Sequence, residues 1–270
     1  MSHLKSLLLA AALLTPGLAN AVVPDSTDPT EIMNAVESRD TGDQTTFTLD
    51  ITIEDKAGRS RTRVVQVRTL RFDEGNKQLL LFEQPADLRN AGLLSIDYDD
   101  GSKADDQWLY LPSLARTTRI ASADKSGSFM GTDLTYADMT RKDPGAYNYK
   151  MYKQSEMVDG DDCWVIEATP KTDKERDETG YAASLVWVSK DKMVPLKLQA
   201  KVIDGARMKY TSMSDLRQVD GVWMAHKVVV NTYKGGEKES GSTLVTSNLN
   251  INDAGVSESD FTEQRLERGL

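Results

Sequence analysis

The sequence predicts a mainly antiparallel β protein with a few helices. Apolar and polar residues alternate over residues 45–54, which is typical of a strand with one buried face. Too few helical segments alternate with the strands to build the βαβ units of a parallel sheet. Four dipeptides lie between strand-like runs and can adopt the positive φ values of tight hairpin turns. They are Asp159-Gly160, Asp204-Gly205, Asp220-Gly221 and Gly235-Gly236.

The first element after the N-terminal segment is predicted to be a helix. The run Asp28-Pro29-Thr30-Glu31 provides an N-cap, a proline at the first helical position and an acidic residue three places after the cap. We expect this helix to end between residues 40 and 42. Its apolar stripe consists of Ile32, Met33 and Val36.

Further strand-like runs continue to the end of the chain. A sheet of about ten strands must curl, close into a barrel or split into two packed sheets. A curled sheet around a helix and a two-sheet sandwich both remain open, because periodicity does not separate them. No Pro/Ser-rich linker divides the chain, which favours one domain over residues 22–270. The runs are residues 63–72, 77–83, 93–98, 149–158, 163–168, 183–188, 194–202, 207–219, 222–233 and 242–251.

The N-terminal residues predict an export signal. A short polar start precedes an apolar run over residues 7–14, which a Pro-Gly pair then interrupts. Residues 19–21 are Ala-Asn-Ala and supply the small side chains that a signal peptidase requires, so we expect cleavage before Val22. The apolar run is shorter than the roughly 20 residues of a membrane-spanning helix. The sequence therefore predicts that residues 1–21 are a cleaved signal peptide.

The charge of the chain argues against nucleic acid as a partner. The sequence has 33 Lys and Arg against 42 Asp and Glu, a formal net charge of -9. Loss of residues 1–21 removes one lysine and no acid, which leaves -10. A chain this acidic, without a basic run, is a poor ligand for nucleic acid and for anionic lipid head groups. Contact with lipid must then use an apolar surface or cavity, and contact with a membrane is expected to be transient only.

Few residues suit catalysis or metal binding. His226 and Cys163 are the single histidine and cysteine after residue 21, so neither a histidine-based triad nor a typical zinc site is expected. Ser122 and Lys125 match the serine–lysine spacing of acylating enzymes, but no helix is indicated there. Five aspartates within residues 97–106 suggest a cation loop, and a solvated hairpin tip is the favoured alternative. We expect no enzyme, no metal site and no cofactor.

Residues 107–139 interrupt the strand pattern and carry the most information. Residues 107–112 form a short aromatic strand that ends at a proline. A Gly/Ser loop follows, and then residues 128–139, which contain Phe-Met-Gly-Thr-Asp and Tyr-Ala-Asp. The last part of this run is a candidate short helix, capped by Thr132 or Asp133.

These residues resemble the outer-membrane lipoprotein-sorting family. The resemblance depends mainly on Trp108-Leu109-Tyr110-Leu111-Pro112, on Arg116 and Arg119, and on residues 128–138. Members of this family are periplasmic proteins related in fold to the lipoprotein carriers LolA and LolB. Members of this branch are often associated with exporters of lipids of the resistance-nodulation-division (RND) type. Weaker matches extend the resemblance over nearly all of the chain after residue 21: residues 79–85, Gly92, residues 187–190, 195–197 and 261–266.

The resemblance implies an incomplete antiparallel β-barrel, a curled sheet wrapped around helices, with an apolar cavity for acyl chains. It also implies a lipid or lipidated protein as ligand and an inner-membrane RND-type exporter as partner. The alternative is that the aromatic residues are ordinary core and that the arginines pair with Asp133 or Asp138. The residues expected to bind lipid, with the two arginines as lid or head-group contacts, are Trp108, Tyr110, Leu111, Arg116, Arg119, Phe129, Met130, Leu134 and Tyr136.

These observations predict a non-enzymatic periplasmic carrier or chaperone that transfers lipid between the inner and outer membranes. The main alternative is an envelope scaffold that docks a transporter and holds no ligand. A secreted hydrolase of envelope polymers is a third class, for which we find no catalytic constellation. The carrier requires empty apolar space inside the curled sheet, whereas the scaffold predicts an interior filled by large side chains.

Overall fold

The computed structural model describes residues 25–270. The predicted signal peptide over residues 1–21 and its cleavage before Val22 lie outside these residues. Thirteen strands form one sheet, together with three α-helices and several short 3-10 turns. The helices are α1 (Pro29–Glu37), α2 (Asp173–Thr179) and α3 (Glu263–Arg268). The strands are β1 (Gln44–Asp55), β2 (Ser60–Phe72), β3 (Gly75–Gln84), β4 (Gly92–Tyr98), β5 (Asp106–Leu111), β6 (Arg116–Arg119), β7 (Tyr147–Val158), β8 (Asp161–Pro170), β9 (Tyr181–Ser189), β10 (Pro195–Val202), β11 (Arg207–Val219), β12 (Val222–Lys234) and β13 (Glu237–Ile251).

The sheet is antiparallel throughout and consists of two successive meanders. The first runs from β1 to β6 and the second from β7 to β13, and the pairing of β1 with β13 joins them. Within residues 25–270, β6 and β7 each pair on one side only, so the curled sheet is not closed. The predicted fold class is confirmed, and the single sheet decides against the two-sheet sandwich.

The four predicted hairpin turns join neighbouring strands of the second meander. Asp159 and Gly160 have φ values of 50° and 93°, which matches the expected turn geometry. Asp220 and Gly221 behave in the same way. At the β10–β11 turn only the glycine has a positive φ, because the Asp204 carboxylate instead accepts hydrogen bonds from the next backbone N–H groups.

Helix α1 begins as the sequence predicts and ends early. The Asp28 carboxylate accepts hydrogen bonds from the N–H groups of Thr30 at 2.8 Å and Glu31 at 3.3 Å. The helix ends at Glu37, before the expected end at residues 40–42. Its apolar stripe packs on the inner face of β8 and β9, against Trp164, Ile166, Val186 and Val188.

The two faces of the sheet are covered by different parts of the chain. On the outer face of β2–β5, Leu266 of α3 packs with Leu79, Leu81 and Leu94. On the inner face, α1 lies over one side and the segment between β6 and β7 lies over the other. No helix among residues 25–270 is long and apolar enough to span a membrane.

Several elements differ from the sequence-based prediction. Strand β6, Arg-Thr-Thr-Arg, has no apolar alternation, and α2 has an almost entirely polar sequence, so neither showed a periodic signal. The expected short helix within residues 128–139 is wrong. Two 3-10 turns occur there instead, Phe129–Gly131 and Ala137–Met139, because Met130 and Gly131 both adopt positive φ.

Candidate functional site

The segment between β6 and β7, residues 120–146, crosses the inner face of the sheet and is called the crossing segment here. Two contacts hold it against the first meander. Gln107 of β5, which is fully buried, donates from Nε2 to the Tyr136 carbonyl at 2.9 Å. The Arg63 guanidinium of β2 donates to the Met130 carbonyl.

A buried carboxylate attaches the crossing segment to the middle of the sheet. Asp133 is 6% exposed and accepts hydrogen bonds from Ser242 at 2.7 Å and from the hydroxyls of Thr232 and Ser240. These three donors project from β12 and β13. Because each of its oxygens has a donor, this carboxylate is satisfied although it is buried.

Aromatic packing closes the space between the crossing segment and the first meander. Phe129 is 1% exposed, and its ring centroid lies 6.1 Å from that of Phe82 and 5.7 Å from that of Tyr136. This part of the inner face is therefore filled by side chains.

Further along the inner face the crossing segment leaves two adjoining cavities. The first, of about 430 Å³, lies over β1–β3 and is called the β1 cavity. The second, of about 420 Å³, lies over β8–β12 and is called the β11 cavity. Both volumes fall within the roughly 300–1,000 Å³ of small-molecule sites. Apolar side chains of the strands line the β11 cavity: Val186, Leu198, Met213, Val228, Val230 and Leu244.

The two cavities share part of their lining. Leu134 and Met139 line both of them, together with Val36 of α1 and Leu244 of β13. The shared lining is mixed, because Glu37, Asp138, Thr140, Arg141 and Pro195 line both cavities as well. A thioether chain such as Met139 adapts to several shapes of neighbour.

One end of the β11 cavity is polar. The Tyr181 hydroxyl donates to Asp138 Oδ2 at 2.6 Å, and Lys209 Nζ donates to the Tyr181 oxygen at 3.1 Å. Burial raises the pKa of Tyr181 well above its usual range, and the neighbouring Asp138 carboxylate adds to the effect. Tyr181 therefore stays a neutral phenol that links Lys209 to Asp138.

The open side of the cavities is bordered by charged residues of α1 and the crossing segment. Arg141 donates to the Glu37 carbonyl at the end of α1, and its guanidinium lies 4.0 Å from the Glu37 carboxylate and 3.9 Å from Asp99. Burial raises the pKa of Glu37, and the charges of Arg141 and Lys142 oppose the shift. Arg141 thus connects the crossing segment to both α1 and the β4–β5 turn.

Asp97 is a buried carboxyl beside the same opening. It is 7% exposed, its Oδ2 accepts from the Arg141 N–H at 3.3 Å, and its Oδ1 has no hydrogen-bond partner among the described residues. Burial, with the nearby charge of Asp105, raises the pKa of Asp97 to about 7. The prediction of a solvated hairpin tip is therefore wrong for Asp97, which points to the inner face.

The geometry offers little for catalysis in the described part of the chain. Cys163 is fully buried, and burial raises the pKa of its thiol to about 12, so the reactive thiolate is disfavoured. Lys125 forms a buried ion pair with Glu178 at 2.7 Å. Among residues 25–270, no group of three or more His, Cys, Asp or Glu side chains is placed to hold a metal ion.

Comparison with known proteins identifies the family. A family model described only as an uncharacterized protein matches residues 74–268. A crystal structure described as an outer-membrane lipoprotein-sorting protein domain, from Vibrio parahaemolyticus, is 31% identical in sequence. The match covers 89% of this chain and 98% of the Vibrio domain, with a TM-score of 0.79. The chain belongs to the outer-membrane lipoprotein-sorting family.

Other solved structures share the fold of this chain. A DUF1329 family protein from Desulfovibrio piger is 28% identical in sequence, with a TM-score of 0.80. The match covers 89% of this chain and 100% of the Desulfovibrio protein. A LolA superfamily protein from Nitrosomonas europaea is 18% identical, with a TM-score of 0.66 over 88% and 99% of the two chains. The sorting-family protein therefore has a LolA-like open-barrel fold. No curated protein matches its sequence.

The predicted lipid-binding residues of the sorting-family protein fall into separate groups. Phe129 and Leu134 line the β1 cavity, and Leu134 also lines the β11 cavity. Leu111, Met130 and Tyr136 pack on the same inner cluster without lining either cavity.

The other four lie away from both cavities. Trp108 and Tyr110 pack on the outer face with the cluster around Leu266. Arg116 and Arg119 are exposed on the edge strand β6, and Arg119 pairs with Asp106 and with neither Asp133 nor Asp138. Their part in lipid binding stays a prediction.

Sequence reasoning missed the polar residues of the site. In β11, Lys209 has the same strand phase as Thr211 and Met213, so a lysine at an inward position was a visible signal. Asp97 carried a similar signal, because it alternates with the outward-facing Leu94 and Ile96 in β4. Arg141 gave none, since it lies outside any periodic segment.

Proposed function

We propose that this protein is a non-enzymatic carrier that binds acyl chains in the β1 and β11 cavities. The observation that carries the proposal is the apolar space of about 430 Å³ and 420 Å³ between the curled sheet, α1 and the crossing segment. Membership of a family named for lipoprotein sorting supports a lipid or a lipidated protein as the ligand.

The energetics explain why a movable cover suits a carrier. Burying one methylene contributes about 0.8 kcal/mol, so a sixteen-carbon chain gains on the order of 12 kcal/mol before ordering costs. A ligand held that tightly would not be released. Leu134 and Met139 line both cavities, so a bound chain that displaced them would compete with the arrangement seen here and would bind less tightly.

The cellular setting is part of the same proposal. The signal peptide expected over residues 1–21 would send the protein to the periplasm. There it would take lipid from the inner membrane, with an RND-type exporter as partner, and deliver it to the outer membrane through transient contacts. The buried thiol of Cys163, with its raised pKa, supports a binding role over catalysis.

The competing function is an envelope scaffold without ligand. It expects the inner face to be packed solid, as it is around Phe82 and Phe129. The two cavities favour the carrier. We find no observation that favours a hydrolase.

Lipid extraction tests the proposal. Protein purified from its native envelope is extracted with organic solvent, and the extract is examined by mass spectrometry. We expect lipid in stoichiometric amount, together with saturable binding of a fluorescent acyl probe to the delipidated protein. A folded protein that yields no lipid and binds no acyl probe would sink the proposal and favour the scaffold.

A cavity-filling variant makes this test specific to the site. Ser184 lines the β11 cavity, so Ser184→Trp places an indole where the acyl chain would lie. We expect the affinity for the probe to fall about 10-fold or more, with folding retained because the site has free volume. Ser60→Trp, at an exposed strand start, is the matched control and should bind as the parent protein does.

A further inference from the structure

Two lysines lie at the polar end of the otherwise largely apolar β11 cavity. Lys209 of β11 and Lys142 of the crossing segment both line it. Their ammonium nitrogens lie 5.2 Å and 5.6 Å from the centroid of the same Tyr181 ring. Two cations from distant parts of the sequence therefore lie near the same aromatic ring and line the same cavity.

Neither ammonium group has a carboxylate in direct contact. Among residues 25–270, no Asp or Glu oxygen lies within 4.0 Å of Lys209 Nζ or Lys142 Nζ, whereas the buried Lys125 is paired with Glu178 at 2.7 Å. The hydrogen bond of Lys209 is made to the neutral phenol of Tyr181.

Two carboxylates of this region accept from neutral donors, while a third, Glu37, lies nearest to Arg141 and feels the charge of Lys142 through space. Asp138 accepts from the Tyr181 hydroxyl at 2.6 Å and from the Thr135 N–H at 2.9 Å. Asp133 accepts from three hydroxyls of β12 and β13. Asp138 and Asp133 act on Lys209 only through space, so neither acid occupies a direct ion-pair position at its ammonium group.

The environment of Lys209 disfavours its charge in the absence of an anion. Burial lowers the pKa of Lys209, the charges of Asp138 and Asp133 oppose this effect, and the charge of Lys142 adds to it. An anion between the two ammonium groups would offset both the desolvation and their mutual repulsion.

We propose that Lys209 and Lys142 bind the anionic head group, a carboxylate or a phosphate, of an amphiphile whose hydrocarbon chain fills the β11 cavity. This rests on the proposed carrier function and specifies the ligand class. Acyl esters and amides carry no charge, so the acyl groups of a lipidated protein would leave both lysines without a counter-ion. The site therefore favours an acidic free lipid over a lipidated protein.

Ligands that differ only in the head group test this assignment. Dodecanoate, dodecyl phosphate, dodecanol and dodecyltrimethylammonium have twelve-carbon chains, counting the carboxyl carbon of dodecanoate, and are compared by displacement of a neutral fluorescent probe. We expect both anions to bind about 10-fold or more tightly than dodecanol, and the cation to bind most weakly. The tighter of the two anions indicates whether the natural head group is a carboxylate or a phosphate.

Charge-removing variants place the effect at the two lysines. Lys209→Met keeps a side chain of similar length and should bring the affinity for dodecanoate down to about that for dodecanol, measured on the same variant. Lys142→Met should reduce the preference and carries the test if the first variant fails to fold. Lys201→Met, at an exposed position of the neighbouring strand β10, is the control and should keep the full preference.

The outcomes separate this inference from the proposed function. Equal affinity for dodecanol and dodecanoate, or a preference that survives replacement of both lysines, overturns the head-group assignment and leaves the carrier intact. If none of the four ligands displaces the probe, the carrier function fails together with the assignment.

Discussion

The two faces of the sheet differ in how completely they are covered. Strand β3 contributes to both, with Leu79 and Leu81 facing outward and Leu80 and Phe82 facing inward. The outward leucines are sealed by Leu266 of α3, which is fully buried. The inward side is covered by α1 and the crossing segment, and these leave the two cavities. The alternation of side chains along a strand decides which of them face inward or outward. The elements that pack on each face decide whether a cavity remains there.

The faces differ in their polar groups as well. The outer cluster around Leu266 consists of apolar residues with the aromatic rings of Trp108 and Tyr110 at its border. The inner face carries Asp97 and Lys209, whose charged forms are disfavoured by burial. Buried ionisable groups of this kind cost stability and are characteristic of binding sites. The outer face therefore stabilises the fold, and the inner face carries the proposed function.

The largest expected effect is on the outer face. Leu266→Ala removes a fully buried side chain and leaves a cavity under α3, which should lower the free energy of unfolding by about 3 kcal/mol. Urea denaturation measures this loss. Binding of the acyl probe should be unchanged below the unfolding transition, since α3 does not line either cavity. A loss of probe affinity in the folded variant would mean that the two faces are coupled.

A smaller effect is expected at Asp97 on the inner face, and it depends on pH. The pKa of Asp97 is about 7 in the folded protein and near 3.8 when the chain unfolds. Between these values the folded state holds a proton that the unfolded state has released, so stability falls as the pH rises through this window. The contribution of Asp97 should fall by on the order of 2 kcal/mol between pH 5 and pH 8.

Asp97→Asn isolates this contribution. The amide cannot ionise, so the unfolding free energy of the variant should fall less between the two pH values than that of the parent protein. Asp105 and Glu37 also have raised pKa values and are present in both proteins, so the difference between them reports Asp97. Parallel stability curves for the two proteins would show that Asp97 ionises normally.

The smallest effect is expected at the exposed edge of the sheet. Arg119 is 63% exposed, and its ion pair with Asp106 is a surface interaction. Arg119→Gln should change the unfolding free energy by no more than about 0.5 kcal/mol and leave acyl-probe affinity unchanged. Arg116→Gln, also exposed on β6, is its companion variant. A marked loss of probe affinity in either variant would instead support the predicted role of these arginines as lid or head-group contacts.

Much of the fold follows from local sequence signals. The alternation in β1, the Asp-Gly and Gly-Gly turns and the cap at Asp28 are short-range patterns, and each occurs where the sequence predicts it. The central run is a family signature, and it also led to the correct family. These signals depend on neighbouring residues, so a single sequence is enough to recognise them.

The site itself depends on contacts that periodicity does not describe. The sequence suggests Asp133 as a helix cap, yet its carboxylate accepts hydrogen bonds from hydroxyl groups more than ninety residues away in sequence. Trp108 and Phe129 are both aromatic residues of one motif, but strand phase places the first outside and the crossing segment places the second inside. The cavities are a property of how the crossing segment lies on the sheet, which no local pattern encodes.

The seam between the two meanders has a consequence for biosynthesis. Thr45 near the start of β1 is paired with Ile251 at the end of β13. While the chain is being made, β1 can pair with β2, but its other edge stays bare until β13 has been synthesised. A bare edge is a template for pairing with other chains. The unpaired edge of β1 is therefore expected to make newly made molecules prone to pairing with other chains until β13 is in place.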